Sequence, residues 1–239
     1  MEELIRILKG FDIRKNNWKE KWDDNAVAKC FRPCAEKILF NGYFLVNGEY
    51  IIDLGAIELY YHEEEGDIKD YAMYHIFDKN KSKIKEYEKG LPYFKFGSFN
   101  LHQSGVDVTF ENEYEKYRAS FLIRSYRVLK TEDGMYPQKD DTKYDPHSTH
   151  IFDDMFYRGI SMNGMATEIV WIPTDRKQGH IETLERVNVV IYEKPNVKKI
   201  IELSDDVYNN NKSKYMKIDN KHHFFEKDLR RWRFQLKNN

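Results

Sequence analysis

Two charged side chains interrupt stretches of sequence that otherwise predict buried strands. Glu58 lies in IIDLGAIELYY, residues 51–61, and Arg124 lies in ASFLIRSYRV, residues 119–128. A charge within a buried strand is costly unless it is paired or faces a cleft. If the two strands are neighbours, the carboxylate and the guanidinium can converge. Two interpretations stay open: a structural ion pair, or a pocket that uses the charge.

Four histidines have spacings that invite comparison with metal ligands. His147 and His150 are three residues apart, and His222 and His223 are adjacent. A metal site needs three or four converging ligands, and no cysteine or carboxylate stands at a recognised spacing from these histidines. The sequence therefore favours loop and helix-cap histidines and predicts no metal site.

Several motifs that carry enzyme chemistry are missing from the sequence. The glycines are scattered, and there is no P-loop, no dinucleotide-binding glycine fingerprint and no nucleophile-elbow serine. The sequence thus disfavours the nucleotide-dependent enzymes that rely on those motifs.

The elements that must position Glu58 and Arg124 are mainly β-strands. Asn47-Gly48 separates two β-rich runs, which is a strong signal for a hairpin, and Gly55 predicts a bulge in the second run. Further strands are predicted within residues 92–112, 116–130, 186–194 and 229–237.

Helices are predicted at three places in the sequence: residues 2–9, residues 25–41 with Asn25 as cap and Pro33 as a break, and residues 148–160 with Ser148 or Thr149 as cap. Hairpins dominate and no regular βαβ alternation appears. The pattern therefore indicates an α+β domain with mostly antiparallel strands.

Length and composition suit one folded domain spanning residues 1–239. Aromatic residues make up 15% of the chain, which opposes disorder, and 39 Lys and Arg balance 40 Asp and Glu. This balance counts mildly against a dedicated nucleic-acid binder. No apolar run approaches the ~20 residues needed to cross a bilayer, and no secretory signal is evident. We expect a soluble, cytoplasmic monomer without a membrane partner.

The only two cysteines, Cys30 and Cys34, are four residues apart on a predicted helix. Their side chains would reach the same surface, but with poor geometry for a disulfide. We expect two buried or half-buried thiols in a reduced protein.

Five short motifs occur in an order that resembles a known family. They are Glu58-Leu59-Tyr60, an acidic residue (Asp67 or Asp70) before His75, Gly97-Ser98-Phe99-Asn100-Leu101-His102, Phe121-Leu122-Ile123-Arg124, and Arg231-Trp232-Arg233-Phe234. This order is similar to that of the alkyladenine (3-methyladenine) DNA glycosylases. The resemblance covers roughly residues 35–130 and the last ten.

The resemblance implies a single compact α+β domain with a mainly antiparallel curved sheet, or partial barrel, and flanking helices. In this scheme residues 1–24 form an N-terminal helix and a peripheral segment, and residues 25–239 form the glycosylase-like core.

The resemblance also implies roles for individual residues. Glu58 matches the base that activates water to cleave the N-glycosidic bond of an alkylated purine, and Arg124 matches the arginine that helps hold this water. Tyr60 and His102 match the walls on which the flipped base stacks, and His75 matches a histidine that contacts the base or its backbone. The implied partner is damaged DNA, and no cofactor or metal is needed.

Departures from the family pattern support an alternative function. His102 stands where the family has tyrosine, and no large side chain near Gln103-Ser104-Gly105 could act as a wedge. Asp107 and Glu111 are acidic where a surface that faces DNA should be neutral or basic. The alternative is a non-catalytic protein that binds a nucleobase, a nucleoside or another small ligand on the same fold.

The C-terminal basic cluster surrounds Trp232. Arg230, Arg231 and Arg233 are candidate DNA contacts, and the alternative is a surface strand whose arginines pair with nearby acids.

Overall fold

The computed structural model describes part of the chain. It covers residues 1–11, 23–70, 72–73, 92–102, 104–131, 137, 143–157, 167–174, 179–187, 198–203, 217–219 and 222–237. For residues 156–157, 198–203, 217–219 and 222–228 only the backbone is described.

The hairpin predicted at Asn47-Gly48 is confirmed. Strand β1 (Gly42–Val46) pairs antiparallel with β2 (Tyr50–Glu63), and the turn between them holds Asn47 at φ 52° and Gly48 at φ 70°. Asparagine and glycine adopt this left-handed region more readily than other residues, which explains why the chain reverses here.

Two long strands form the middle of the main sheet. β2 and β5 (Tyr117–Lys130) pair antiparallel along their full length, and their register shifts around Leu54, Ala56 and Ile57. The predicted bulge at Gly55 is therefore confirmed. A bulge bends the strand and increases its twist, so it contributes to the curl of the sheet.

The main sheet has eight strands among the described residues, in the order β3-β4-β5-β2-β1-β6, with β11 pairing with both β2 and β7. The remaining strands in it are β3 (Ser98–His102), β4 (Gly105–Thr109), β6 (Ile169–Pro173), β7 (Ile181–Leu184) and β11 (Arg233–Leu236). One edge of β2 is shared, because its first residues pair with β1 and residues 56–58 pair with β11. The result is a curled antiparallel half-barrel in an α+β fold: the sequence pattern predicted the antiparallel α+β class, and the resemblance implied the curved sheet.

Three further strands form a second sheet in the order β8-β10-β9: β8 (Lys198–Leu203), β9 (Lys217–Asp219) and β10 (His222–Asp228). Both of its pairings are antiparallel. The strand expected over residues 186–194 lies almost entirely outside the described residues.

Helix α1 (Glu2–Leu8) is confirmed, and α2 (Asp24–Phe40) differs from prediction in two details. Its cap is Asp23, whose carboxylate accepts hydrogen bonds from two backbone amides of the first turn, so Asn25 as cap is wrong. Pro33 lies inside the helix and does not end it. Cys30 and Cys34 are buried, reduced thiols on this helix, as expected.

The chain after β5 forms a short helical segment. Residues 148–150 make a turn, and a π-helical turn follows at Asp153–Tyr157. The expected helix over residues 148–160 is thus confirmed only in its first part, and residues 158–160 lie outside the described chain. No helix in the described parts of the chain combines the length and the apolar character needed to span a membrane.

The hydrophobic core lies between one face of the main sheet and the two helices. Phe11, just after α1, contacts four buried aromatic rings edge-on, those of Phe31, Tyr61, Phe110 and Tyr117. Ile57, Leu59 and Tyr61 alternate along β2 and point into this core. The intervening residues, Glu58 and Tyr60, therefore point to the opposite face of the sheet.

Candidate functional site

A row of side chains crosses six strands on the face opposite the core. The registers align Asn100, Asp107, Leu122, Glu58, Arg233 and Leu184, one from each of β3, β4, β5, β2, β11 and β7. Glu58 and Asp107 are buried carboxylates in this row, separated by the strand that carries Leu122. Because residues directly opposite each other share a face, the fold concentrates polar groups here.

Glu58 is held by three hydrogen bonds and has no exposed surface. Its Oε1 accepts from the Tyr60 hydroxyl at 2.7 Å, and its Oε2 accepts from Arg124 Nε at 3.2 Å and from the Val187 amide at 2.8 Å. The expected convergence of Glu58, Tyr60 and Arg124 is therefore observed. A carboxylate offers about four acceptor positions, so the residues that the structure describes leave one position on Oε1 unoccupied.

Arg124 connects Glu58 to a chain of hydrogen bonds. Its two terminal nitrogens donate to Ser148 Oγ at 3.0 Å and to the Val187 carbonyl at 2.6 Å. Ser148 Oγ donates to the Ser104 carbonyl at 2.8 Å, and the Ser104 amide donates to His102 Nδ1 at 3.2 Å. His102 is thus linked to Glu58 through this chain and not by direct contact.

Tyr60 is half-buried, and its ring has a charged neighbour. Burial and the Glu58 carboxylate raise the pKa of the Tyr60 hydroxyl well above its usual value, so the hydroxyl stays protonated and donates to Glu58. The guanidinium of Arg186 lies 4.9 Å from the ring centroid. This cation–π contact fixes the ring orientation on one side.

A buried ion cluster lies next to Tyr60, and of this cluster the sequence indicated only that a C-terminal arginine could pair with a nearby acid. Asp70 and Arg186 have no exposed surface, and they form two hydrogen bonds of 2.6 and 3.1 Å. Arg230 adds a bond of 3.2 Å to Asp70, and both guanidinium groups lie over the ring of Trp232. An ion cluster of this kind positions side chains because each charge needs its partners.

His102 belongs to a second polar cluster. Its Nε2 lies 3.1 Å from Asp107 Oδ1, and Ser120 Oγ donates to Asp107 Oδ2 at 3.2 Å. The two clusters meet at His102, whose Nδ1 accepts from the Ser104 amide and whose Nε2 lies beside the Asp107 carboxylate.

The two acidic residues taken as a sign against DNA binding are not on the surface. Asp107 and Glu111 are only 3% and 4% exposed. Glu111 accepts hydrogen bonds from Arg118 at 3.0 Å and from the Phe94 amide at 2.8 Å. The expectation of an acidic surface at these residues is therefore wrong.

The three C-terminal arginines have different surroundings. Arg230 is 6% exposed and faces Asp70, with a further hydrogen bond to the Lys69 carbonyl at 2.9 Å. Arg231 is exposed and binds the Thr183 carbonyl through its Nε at 2.9 Å. Arg233 is half-buried and shares the row with Glu58. Only Arg231 presents its charge openly to solvent.

Val187 belongs to the Glu58 cluster, and the sequence did not reveal this. It acts through its peptide groups, which bind both Glu58 and Arg124, so its side chain carries no signal. His75 lies outside the described residues.

His147 and His150 do have a carboxylate partner, contrary to the sequence analysis. Asp145 Oδ1 lies 2.8 Å from His147 Nδ1, and its Oδ2 lies 2.9 Å from His150 Nδ1. Burial raises the pKa of Asp145, but hydrogen bonds from the His147 amide and from both imidazoles outweigh this effect, so the net pKa is lowered. The side chains of His222 and His223 are outside the described atoms.

A cleft of about 370 Å³ lies elsewhere, between α1, α2 and the end of β6. Glu3, Arg6, Lys37 and Thr174 contribute to its lining, and none of the expected site residues does.

Comparison with protein-family models, with curated proteins and with solved structures finds no match to this chain.

Proposed function

We propose that this protein hydrolyses the N-glycosidic bond of alkylated purines in DNA, on a fold like that of the 3-methyladenine DNA glycosylases. The observation that carries the proposal is the convergence of the Glu58 carboxylate, the Arg124 guanidinium, the Tyr60 hydroxyl and the Val187 peptide. A carboxylate held next to an arginine is suited to deprotonating water and to stabilising positive charge on the sugar.

The Glu58 carboxylate is the general base, and its hydrogen-bond partners hold it in place. The free acceptor position on Oε1 receives the water proton, while Arg124 and the Val187 amide fix Oε2. Tyr60 and Arg124 retain exposed surface, which places the carboxylate directly beneath the protein surface. A short movement of either side chain would admit water and the sugar.

Tyr60 offers an aromatic wall for the extruded base. Arg186 packs on its ring at 4.9 Å, so the base would stack on the opposite ring face. Electron-poor alkylated purines stack favourably on electron-rich rings, which suits this lesion class.

Two surface features support DNA as the substrate. Asp107 and Glu111 are buried and place little charge on the surface that would face DNA. Leu101, next to His102 at the end of β3, is 45% exposed and supplies an apolar side chain for the space left by an extruded base. Leu101 lies two residues before Gln103-Ser104-Gly105, the segment in which the sequence indicated no wedge.

The test is base release from alkylated duplex DNA by wild type and by Glu58→Gln. We expect the variant to be at least about 100-fold slower, because general-base catalysis contributes about 10²–10⁴-fold. Glu65→Gln, which changes an exposed glutamate, is the matched control and should keep wild-type rates. Circular dichroism confirms that both variants are folded. Wild-type rates in Glu58→Gln would refute the mechanism.

A second candidate is a protein that binds a nucleobase or nucleoside without catalysis. It is favoured by the complete burial of Glu58 and its three donors, which suit a carboxylate that positions groups more than one that meets water. A melting shift with free bases or nucleosides, together with no base release from DNA, would select this candidate.

A further inference from the structure

Three potential metal ligands converge outside the Glu58 cluster. The ligand atoms of Asp145, His147 and His150 all lie within 4.8 Å of one another. The two imidazoles stack with ring centroids 5.0 Å apart, and each points its Nδ1 at a different oxygen of the same carboxylate. The three ligand atoms are therefore already close together.

The backbone holds these ligands in place before any ion binds. Asp145 pairs with Tyr126 of β5 through two backbone hydrogen bonds of 2.6 and 3.2 Å. The His147 amide donates to Asp145 Oδ1 at 2.7 Å, and the His150 amide donates to the His147 carbonyl at 3.1 Å. Between the histidines, Ser148 is buried and anchored by Arg124. A site fixed at several points loses little freedom when it binds a ligand.

We propose that Asp145, His147 and His150 bind a divalent transition-metal ion, with zinc as the best fit. Two neutral imidazoles and one carboxylate, with further positions open to water, form a ligand set that zinc accepts. Calcium and magnesium prefer all-oxygen ligands, so the two imidazoles select against them.

The present spacing requires only a small adjustment. The nitrogen–oxygen distances of 2.8 and 2.9 Å are those of hydrogen bonds. Ligand atoms about 2.0–2.2 Å from a tetrahedral zinc are about 3.3–3.6 Å apart, so each imidazole needs to retreat by about 0.4–0.8 Å. The histidine side chains are 67% and 58% exposed, which leaves room for this movement and gives the ion direct access.

The proposal of a zinc site does not depend on the proposed hydrolase activity. The two sites are nevertheless connected by a hydrogen bond. Ser148 lies between the two histidines and accepts a hydrogen bond from Arg124. A bound ion would hold the turn that carries Ser148, and through it would restrain Arg124.

Isothermal titration of the chelator-treated full chain with zinc chloride tests the proposal. We expect one ion per chain, a higher melting temperature with zinc, and a cobalt(II) absorption spectrum that zinc displaces. Asp145→Asn, His147→Ala and His150→Ala should each weaken binding at least about tenfold, since even residues that only support a ligand have effects of 10–100-fold.

The matched control is His180→Ala, which removes an exposed histidine on another segment and should leave zinc affinity unchanged. Absence of zinc binding by the wild type would overturn the proposal. So would wild-type affinity in the three ligand variants, or an equal loss in His180→Ala, because either result places the ion elsewhere.

Discussion

Replacing Asp70 by alanine should remove a large part of the stability of the fold. Asp70 and Arg186 are fully buried and Arg230 is 6% exposed, so Asp70→Ala leaves two buried guanidinium groups without their shared carboxylate. Breaking a buried pair by removing one partner costs about 3–5 kcal/mol. Asp70 also accepts from the Tyr61 amide at 3.3 Å, and this bond is lost as well.

Urea denaturation followed by circular dichroism measures this loss. With a urea dependence of about 2 kcal/mol per molar, a loss of 4 kcal/mol lowers the midpoint by about 2 M. Asp67→Ala is the matched control, because this aspartate is exposed on the same loop and should change stability by less than about 0.5 kcal/mol. A loss below about 1 kcal/mol in Asp70→Ala would refute the view that the two arginines depend on this carboxylate.

Three further predictions concern other positions. Gly55→Ala should cost about 1–3 kcal/mol in urea unfolding, because the added Cβ would lie 2.5 Å from Tyr144 Cδ1, and an unchanged midpoint would exclude this close approach. In a Cys30→Ser variant, Cys34 should resist a thiol-reactive dye until the protein unfolds. The reason is that burial raises the pKa of the Cys34 thiol to about 12 and the thiol donates to a backbone carbonyl. Rapid labelling of the folded protein would contradict this prediction. Burial lowers the pKa of His62 to about 4, so the unfolded state takes up the proton first as the pH falls. Stability should therefore be full above about pH 6.5 and fall by about 3 kcal/mol on acidification to about pH 4, and His62→Gln should lack this component when unfolding is measured across that range.

The sequence predicted the centre of the candidate site through the cost of a buried charge. Glu58 and Arg124 each interrupt an apolar strand, and the structure pairs them at 3.2 Å. The residue types also predicted the Asn47-Gly48 turn, since few residues tolerate its left-handed conformations, and the bulge at Gly55, where a side chain would meet Tyr144. These features are visible in sequence because they depend on the chemistry of a single residue.

Features that depend on contacts distant in sequence were not predictable. Val187 acts through its backbone, and Asp145 meets the histidines because its strand pairing with Tyr126 directs the turn.

The cap of α2 was placed at Asn25 and is Asp23, because several neighbouring residues can cap a helix and only the backbone geometry selects one.

One edge of β2 pairs with both β1 and β11, and this arrangement affects how the chain folds. Arg233 of β11 pairs with Glu58 of β2 although most of the chain separates them. During synthesis β2 is complete long before β11 emerges, so part of its hydrogen-bonding edge stays open. Such late, non-local pairing slows folding, and an open edge can recruit strands from other chains. Until β11 docks, the strand that carries Glu58 therefore has an open edge at which the nascent protein can aggregate.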